Sequence, residues 1–111
     1  MTIKNPKFSI IMVDYDQSVS RAYMQRAIQS LMIQTFNSFE VILLHDGPKE
    51  IPYENELSKE QINFIDQIVV TEERFNNWGH TLRDMGIRSA KGEYIIPVSY
   101  THLTLPTICS V

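Results

Sequence analysis

A chain of 111 residues is long enough for one small domain with its own core and too short for two. Hydrophobic residues make up 43% and charged residues 21%, the balance of an ordinary globular domain rather than a disordered or membrane-embedded chain. The net charge of −3, with scattered cations of which Lys49, Lys59, Arg74 and Arg83 each adjoin an acidic residue, excludes a nucleic-acid-binding face, which needs clustered positive charge.

The first element is Phe8-Ser9-Ile10-Ile11-Met12-Val13, a nearly continuous apolar run of the kind buried on both faces of a parallel sheet. It stops at Asp14-Tyr15-Asp16. Ser18 or Ser20 stands where a helix cap is wanted. Tyr23, Met24, Ala27, Ile28, Leu31 and Met32 then recur at helical spacing and predict one apolar stripe, with the methionines in the core. Asn37-Ser38 turns the chain into a second buried-type strand, Glu40-Val41-Ile42-Leu43-Leu44, which ends at His45-Asp46-Gly47-Pro48. Strand, helix and strand in succession make a βαβ unit.

The polar stretch 49–61, with Pro52, predicts a loop and a short helix, and residues 65–70 predict a third strand. A polar loop follows over 71–77. From Gly79 onward Leu82, Met85, Gly86 and Ile87 predict a second well-formed helix that ends near Ala90-Lys91-Gly92, with Gly92 expected in the left-handed position after a helix end. Glu93-Tyr94-Ile95-Ile96-Pro97 begins a fourth strand. Strands alternating with helices imply an α/β layer fold with a largely parallel sheet.

Cys109 is the lone cysteine, so neither an internal disulfide nor a multi-cysteine metal site can form. No stretch approaches the roughly 18 consecutive apolar residues of a membrane span, and the first residues lack the apolar run of a secretory signal. The expected location is cytoplasmic. His45 and His80 lack metal-ligand spacing and are expected in structural or surface roles. Trp78 is expected to pack against the sheet. Glu72 and Glu73 are poor partners for acid–base work, because adjacent side chains on an extended chain point apart. Taken alone, Asp46-Gly47-Pro48 reads as a turn, since Asp-Gly is a common turn pair.

Four segments in order resemble the GT-A fold of family 2 glycosyltransferases, together covering about residues 8 to 97. Residues 8–16 are similar to the family's first strand, with Tyr15-Asp16 where a Tyr-Asn pair is usual. Gln34-Thr35-Phe36-Asn37-Ser38-Phe39-Glu40-Val41 resembles its link from helix to second strand. His45-Asp46-Gly47-Pro48 stands where Asp-Asp-Gly-Ser is common. Residues 77–95, from Asn77-Trp78-Gly79 through Arg83-Asp84-Met85-Gly86 to Ala90-Lys91-Gly92-Glu93-Tyr94-Ile95, resemble its Asn-x-Gly to Gly-Asp/Glu-Tyr block.

The resemblance implies a GT-A, Rossmann-like α/β fold in which a largely parallel sheet carries flanking helices. Ligands of open α/β sheets sit beyond the carboxyl ends of the strands, where Asp14, Asp16 and Asp46 fall. It implies that Asp46 accepts a hydrogen bond from a nucleoside base, typically uracil, and that Val13 and Tyr15 flank that base. Arg83 becomes the candidate for contacting the diphosphate or shaping the pocket floor, against the plainer alternative of an ion pair with Asp84 or Glu73. His45 and Asp16 depart from the family pattern and bear on which nucleotide is bound.

The family holds Mg²⁺ or Mn²⁺ with an Asp-x-Asp motif directly after the strand that starts at Glu93. Here no Asp or Glu follows Glu93. Val98-Ser99-Tyr100-Thr101-His102-Leu103-Thr104-Leu105-Pro106-Thr107 instead resembles a translated transposon-end sequencing adapter, GTC TCT TAT ACA CAT CTG ACG CTG CCG ACG, which encodes those residues in one frame. The expectation is therefore an N-terminal nucleotide-sugar-binding half over 1–97, truncated after about the fourth strand, and an artefactual tail over 98–111. The expected parent transfers a sugar from a nucleotide-diphospho-sugar, UDP-linked, to an acceptor, with Mg²⁺ or Mn²⁺ as its cofactor. The fragment itself, lacking metal motif and catalytic base, is expected to be inactive and to have no cofactor. The alternative is a non-catalytic nucleotide-binding or protein-interaction module of doubly wound fold. A receiver-type domain fits less well, because the third-strand end, Val70-Thr71-Glu72-Glu73, has no Asp to phosphorylate.

Overall fold

The computed structural model describes residues 6–14, 18–34 and 38–98. The elements follow in the order β1 (Phe8–Asp14), α1 (Ser18–Met32), β2 (Phe39–His45), a single 3-10 turn (Tyr53–Asn55), α2 (Lys59–Phe64), β3 (Gln67–Val70), α3 (His80–Ser89) and β4 (Tyr94–Val98). The strands form one all-parallel sheet in the order β3-β2-β1-β4. This is the α/β layer architecture that the alternating pattern predicts. Among the described residues no helix is long and apolar enough to cross a membrane.

The strands are apolar on both sides because both faces are covered. Ile10, Met12, Val41 and Leu43 turn to one face and pack with Met24, Ala27, Ile28 and Leu31 of α1, with Tyr53, Leu57 and Ile65 beyond them. Ile11, Val13, Ile42 and Leu44 turn to the other face and meet Leu82 of α3. Burying each such side chain contributes about 1.5–3 kcal/mol before entropy is charged against it. The α1 stripe is thus confirmed for its central residues, while Tyr23 stays 39% exposed at its margin.

Two neighbours on opposite sides of β1 explain the split. The chain steps from β1 to β2 to β3, then returns past both to place β4 on the far side of β1. Crossovers of one hand that run in opposite directions put their helices on opposite faces. The strand order therefore reverses between β1 and β4, and α3 begins at the carboxyl edge of the sheet.

Three local expectations need correction. The third strand starts at Gln67 rather than residue 65. Ile65 instead ends α2, whose start is fixed by a Ser58–Gln61 capping box, and its side chain is buried in the first cluster. The Asp66 carboxylate accepts from Val41 N at 2.8 Å, ahead of the first β2–β3 pair, Ile42 with Gln67. Gly92 is not left-handed; the positive-φ glycines among the described residues are Gly47 and Gly79. Its role is close approach: a Cβ there would lie 2.7 Å from the Phe8 carbonyl carbon and Ser9 N. Trp78 does not pack against the sheet. It is 83% exposed, because Trp78 and Gly79 take successive positive φ values of 62° and 79° in turning the chain into α3.

Val98, the first residue of the expected tail, pairs with Met12 and is buried. Residues 99–111 lie outside the described residues, as do Tyr15 and Asp16.

Candidate functional site at the carboxyl edge

The ends of β1 and β2 bring Asp14, His45 and Asp46 side by side. The ladder continues one step past the strands, with Asp46 N donating to Asp14 O at 3.0 Å. Both carboxylates are buried, Asp14 at 3% and Asp46 at 1% exposure, and the His45 ring is fully buried. Buried polar groups need partners, and each has them.

Asp14 Oδ2 accepts from the Tyr53 hydroxyl at 2.6 Å. Nδ1 of His45 lies 2.7 Å from Gly47 O, and since a carbonyl only accepts, Nδ1 carries the proton and donates. The His45 ring meets Tyr53 edge-on at 6.2 Å between centroids. On the same tyrosine the Lys49 ammonium sits 4.1 Å from the ring centroid, and it also pairs with Glu56 Oε1 at 2.5 Å. This wall, built by the 49–56 segment, is the part that sequence reasoning missed. Only Pro52 and scattered charge marked it, and its partners lie in other elements.

Asp46 faces the opposite wall. Its Oδ1 accepts from Phe75 N at 2.8 Å and its Oδ2 from Asn76 N at 3.1 Å. Gly47 adopts φ +90°, and its N donates to Thr71 Oγ1 at 2.7 Å. A Cβ on Gly47 would lie 3.0 Å from the Arg74 Cβ, so glycine is required there for shape as well as conformation. The Asp-Gly turn is therefore real, and it also fastens the loop that joins β3 to α3.

Of the four nucleotide-contact candidates, Val13 lies in the second core cluster at 5% exposure, with Ile11 and Leu44 among its companions. Asp46 lies at the strand end, with both carboxylate oxygens engaged by the loop. Arg83 sits in the first turn of α3, where its Nη1 donates to Trp78 O at 2.7 Å. The ion pair imagined for Arg83 with Asp84 is taken by Arg88 instead, at 2.9 Å. Tyr15 is outside the described residues. The structure thus places Val13 and Asp46 near one another at the β1 and β2 ends, with Arg83 at the start of α3. Among the described residues no three His, Cys, Asp or Glu side chains gather as metal ligands.

Comparison with known proteins bears on what such an edge does. The family model described as "Glycosyl transferase family 2" matches residues 9–98. An uncharacterized glycosyltransferase of Rickettsia felis is 28% identical over 106 residues, which is 96% of this chain and 16% of the relative. One from Rickettsia bellii is 31% identical over 101 residues, 91% of this chain and 14% of the relative. The chain spans from 14% to 30% of the length of the curated relatives it matches. In shape it is similar to S. aureus TarS, with a TM-score of 0.70 at 22% identity over 94% of this chain and 19% of that one. The 1–349 piece of TarS gives 0.69 at 23% identity over 85% of this chain and 27% of the piece.

Proposed function

The chain belongs to glycosyl transferase family 2 and has the GT-A type of α/β fold, and from that premise we propose that it forms the nucleotide-sugar-binding part of an enzyme. That enzyme transfers a sugar from a nucleotide-diphospho-sugar, UDP-linked in this reading, to an acceptor. The observation that carries the proposal is the juxtaposition of Asp14 and Asp46 at the ends of adjacent parallel strands, tied by the 3.0 Å Asp46 N to Asp14 O bond. Open α/β sheets bind ligands beyond these strand ends.

In this reading Asp46 accepts from the imino N–H of the base, and Val13 and Tyr15 flank the ring. Arg83, at the amino end of α3, takes the diphosphate, since a guanidinium presents several fixed donors to phosphate oxygens. The partner is the nucleotide-sugar and not nucleic acid, and a cytoplasmic location is part of the same proposal. Mg²⁺ or Mn²⁺ in this family offsets charge on the departing diphosphate. The described residues do not supply a ligand set for it, so no step here runs through a metal. With no acidic residue after Glu93, this chain by itself is proposed to bind donor without transferring sugar.

Titration of the chain with UDP, GDP and CDP, followed by calorimetry and amide chemical shifts, tests the reading. Saturable binding that prefers UDP and perturbs the β1 and β2 ends supports it. Shifts confined to other surfaces, or no binding of any nucleoside diphosphate, would sink it. Sugar transfer from a UDP-sugar by the chain alone would overturn the statement that it only binds.

A further inference from the structure

The loop between β3 and α3 is fastened to the end of β2 by three consecutive residues. His45 O accepts from Thr71 N at 3.3 Å, and Gly47 N donates to Thr71 Oγ1 at 2.7 Å. Between them, the Asp46 carboxylate accepts from Phe75 N and Asn76 N. The group assigned to a nucleoside base is thus already engaged, and at 1% exposure Asp46 leaves no open approach for a planar ring. The same loop includes two residues of left-handed backbone, φ 53° at Asn76, which tolerates it, and 62° at Trp78, which disfavours it. Hydrogen bonds to the Asp46 carboxylate are thus set against local backbone strain at Trp78.

We propose that the loop and the nucleoside use the Asp46 carboxylate in turn. Phe75 N and Asn76 N hold it in the free protein. A base N–H takes it on binding, and the loop from Thr71 to Trp78 is released, its Thr71 anchor included. The inference rests on the nucleotide reading of the strand-end site. Because ligand competes with the fastened loop, weakening the fastening elsewhere raises nucleotide affinity. Thr71 offers that elsewhere, since it anchors the start of the loop without touching the Asp46 carboxylate.

The chain has a single tryptophan, Trp78, so its fluorescence reports on this loop alone. The experiment adds UDP to the full chain and follows amide exchange at Phe75 and Asn76 together with Trp78 emission. Both amides are expected to lose protection as UDP saturates, with a concurrent change in emission. Thr71→Val is expected to bind UDP roughly fivefold more tightly, the equivalent of losing one ordinary hydrogen bond from the closed state. UDP binding that leaves both amides as protected as in the free chain overturns the exchange and leaves the nucleotide reading intact. A folded Thr71→Val chain with equal or weaker UDP affinity overturns it as well. Absence of UDP binding to the unmodified chain removes the nucleotide reading and this inference with it. The exchange measurement needs no variant, so a Thr71→Val chain that failed to fold would not shield the proposal.

Discussion

Tyr53 and Asp14 are joined by a buried hydrogen bond, 2.6 Å from hydroxyl to Oδ2, across 39 residues of sequence. It ties the end of β1 to the segment that carries the 3-10 turn Tyr53–Asn55. His45 packs edge-on to the same ring, and Lys49 lies over it while paired with Glu56. One wall of the strand-end site is therefore a closed polar cluster whose rigidity depends on the tyrosine hydroxyl as well as its ring.

Tyr53→Phe keeps the ring contacts and removes that hydroxyl. A hydrogen bond to a buried charged group contributes about 1.5–3 kcal/mol. The variant is expected to lose stability by roughly that amount, or about 6–20 °C in melting temperature for a domain of this size. Urea unfolding monitored by circular dichroism measures it. A loss no larger than that of an exposed surface substitution would show that water replaces the hydroxyl without penalty.

Gly92 and Gly86 separate backbone crowding from side-chain crowding. A methyl on Gly92 would meet Ser9 Oγ at 2.6 Å and the Phe8 and Ser9 backbone at 2.7 Å. That backbone belongs to β1, and Gly92 N also donates to Ser9 Oγ at 2.8 Å, so neither side can yield without moving β4 off β1. Gly92→Ala is expected to cost about 2–3 kcal/mol. On Gly86 the methyl meets side chains only, the nearest being the branch methyl Cγ2 of buried Ile11 at 2.7 Å. Overpacking of about 1–3 kcal/mol is there partly offset by a gain of about 1 kcal/mol in helix propensity. Gly86→Ala is therefore expected to cost about 0–2 kcal/mol, less than Gly92→Ala. The order of the two melting temperatures is the check, and the reverse order would contradict the backbone contact.

The parallel sheet was legible because its strands are buried on both faces. Phe8 to Val13 and Glu40 to Leu44 are continuous apolar runs, and α1 shows its stripe at Met24, Ala27, Ile28 and Leu31. What local pattern could not disclose is pairing at a distance. Tyr53 with Asp14, Thr71 with Gly47 and Phe75 with Asp46 are 39, 24 and 29 residues apart. The same limit hid the reason for Gly92, whose neighbour is Ser9 and not the helix before it. Asp46 was legible as a strand-end carboxylate, but its two amide partners sit in a loop that carries no periodic signal.

Trp78 shows how a residue type misleads when backbone conformation decides. Large aromatic side chains are usually well buried, yet the left-handed backbone at Trp78 leaves this indole 83% exposed. Trp78→Ala is expected to change stability by less than about 0.5 kcal/mol, as for other surface substitutions. Trp78→Gly is expected to be neutral or slightly stabilising, because glycine adopts φ 62° without strain. Denaturation midpoints of the two variants test this. A loss of several kcal/mol in Trp78→Ala would mean that the indole is covered.

Arg83 provides the test of where the diphosphate lies. Its Nη1 already donates to Trp78 O, which orients the guanidinium at the first turn of α3. That orientation leaves the remaining N–H donors of the fork for a ligand. A charge-assisted contact to phosphate contributes at least about 1.4 kcal/mol, or a factor of ten in affinity. Arg83→Ala is accordingly expected to weaken UDP binding about tenfold or more. It is expected to weaken UMP binding much less, because UMP lacks the second phosphate. The ratio of UDP to UMP affinity is the decisive quantity, since loss of the Trp78 contact shifts both alike and cancels from it. A ratio unchanged by Arg83→Ala assigns Arg83 to holding the loop and places the diphosphate elsewhere along the carboxyl edge. A ratio that collapses toward one puts the second phosphate on the Arg83 guanidinium.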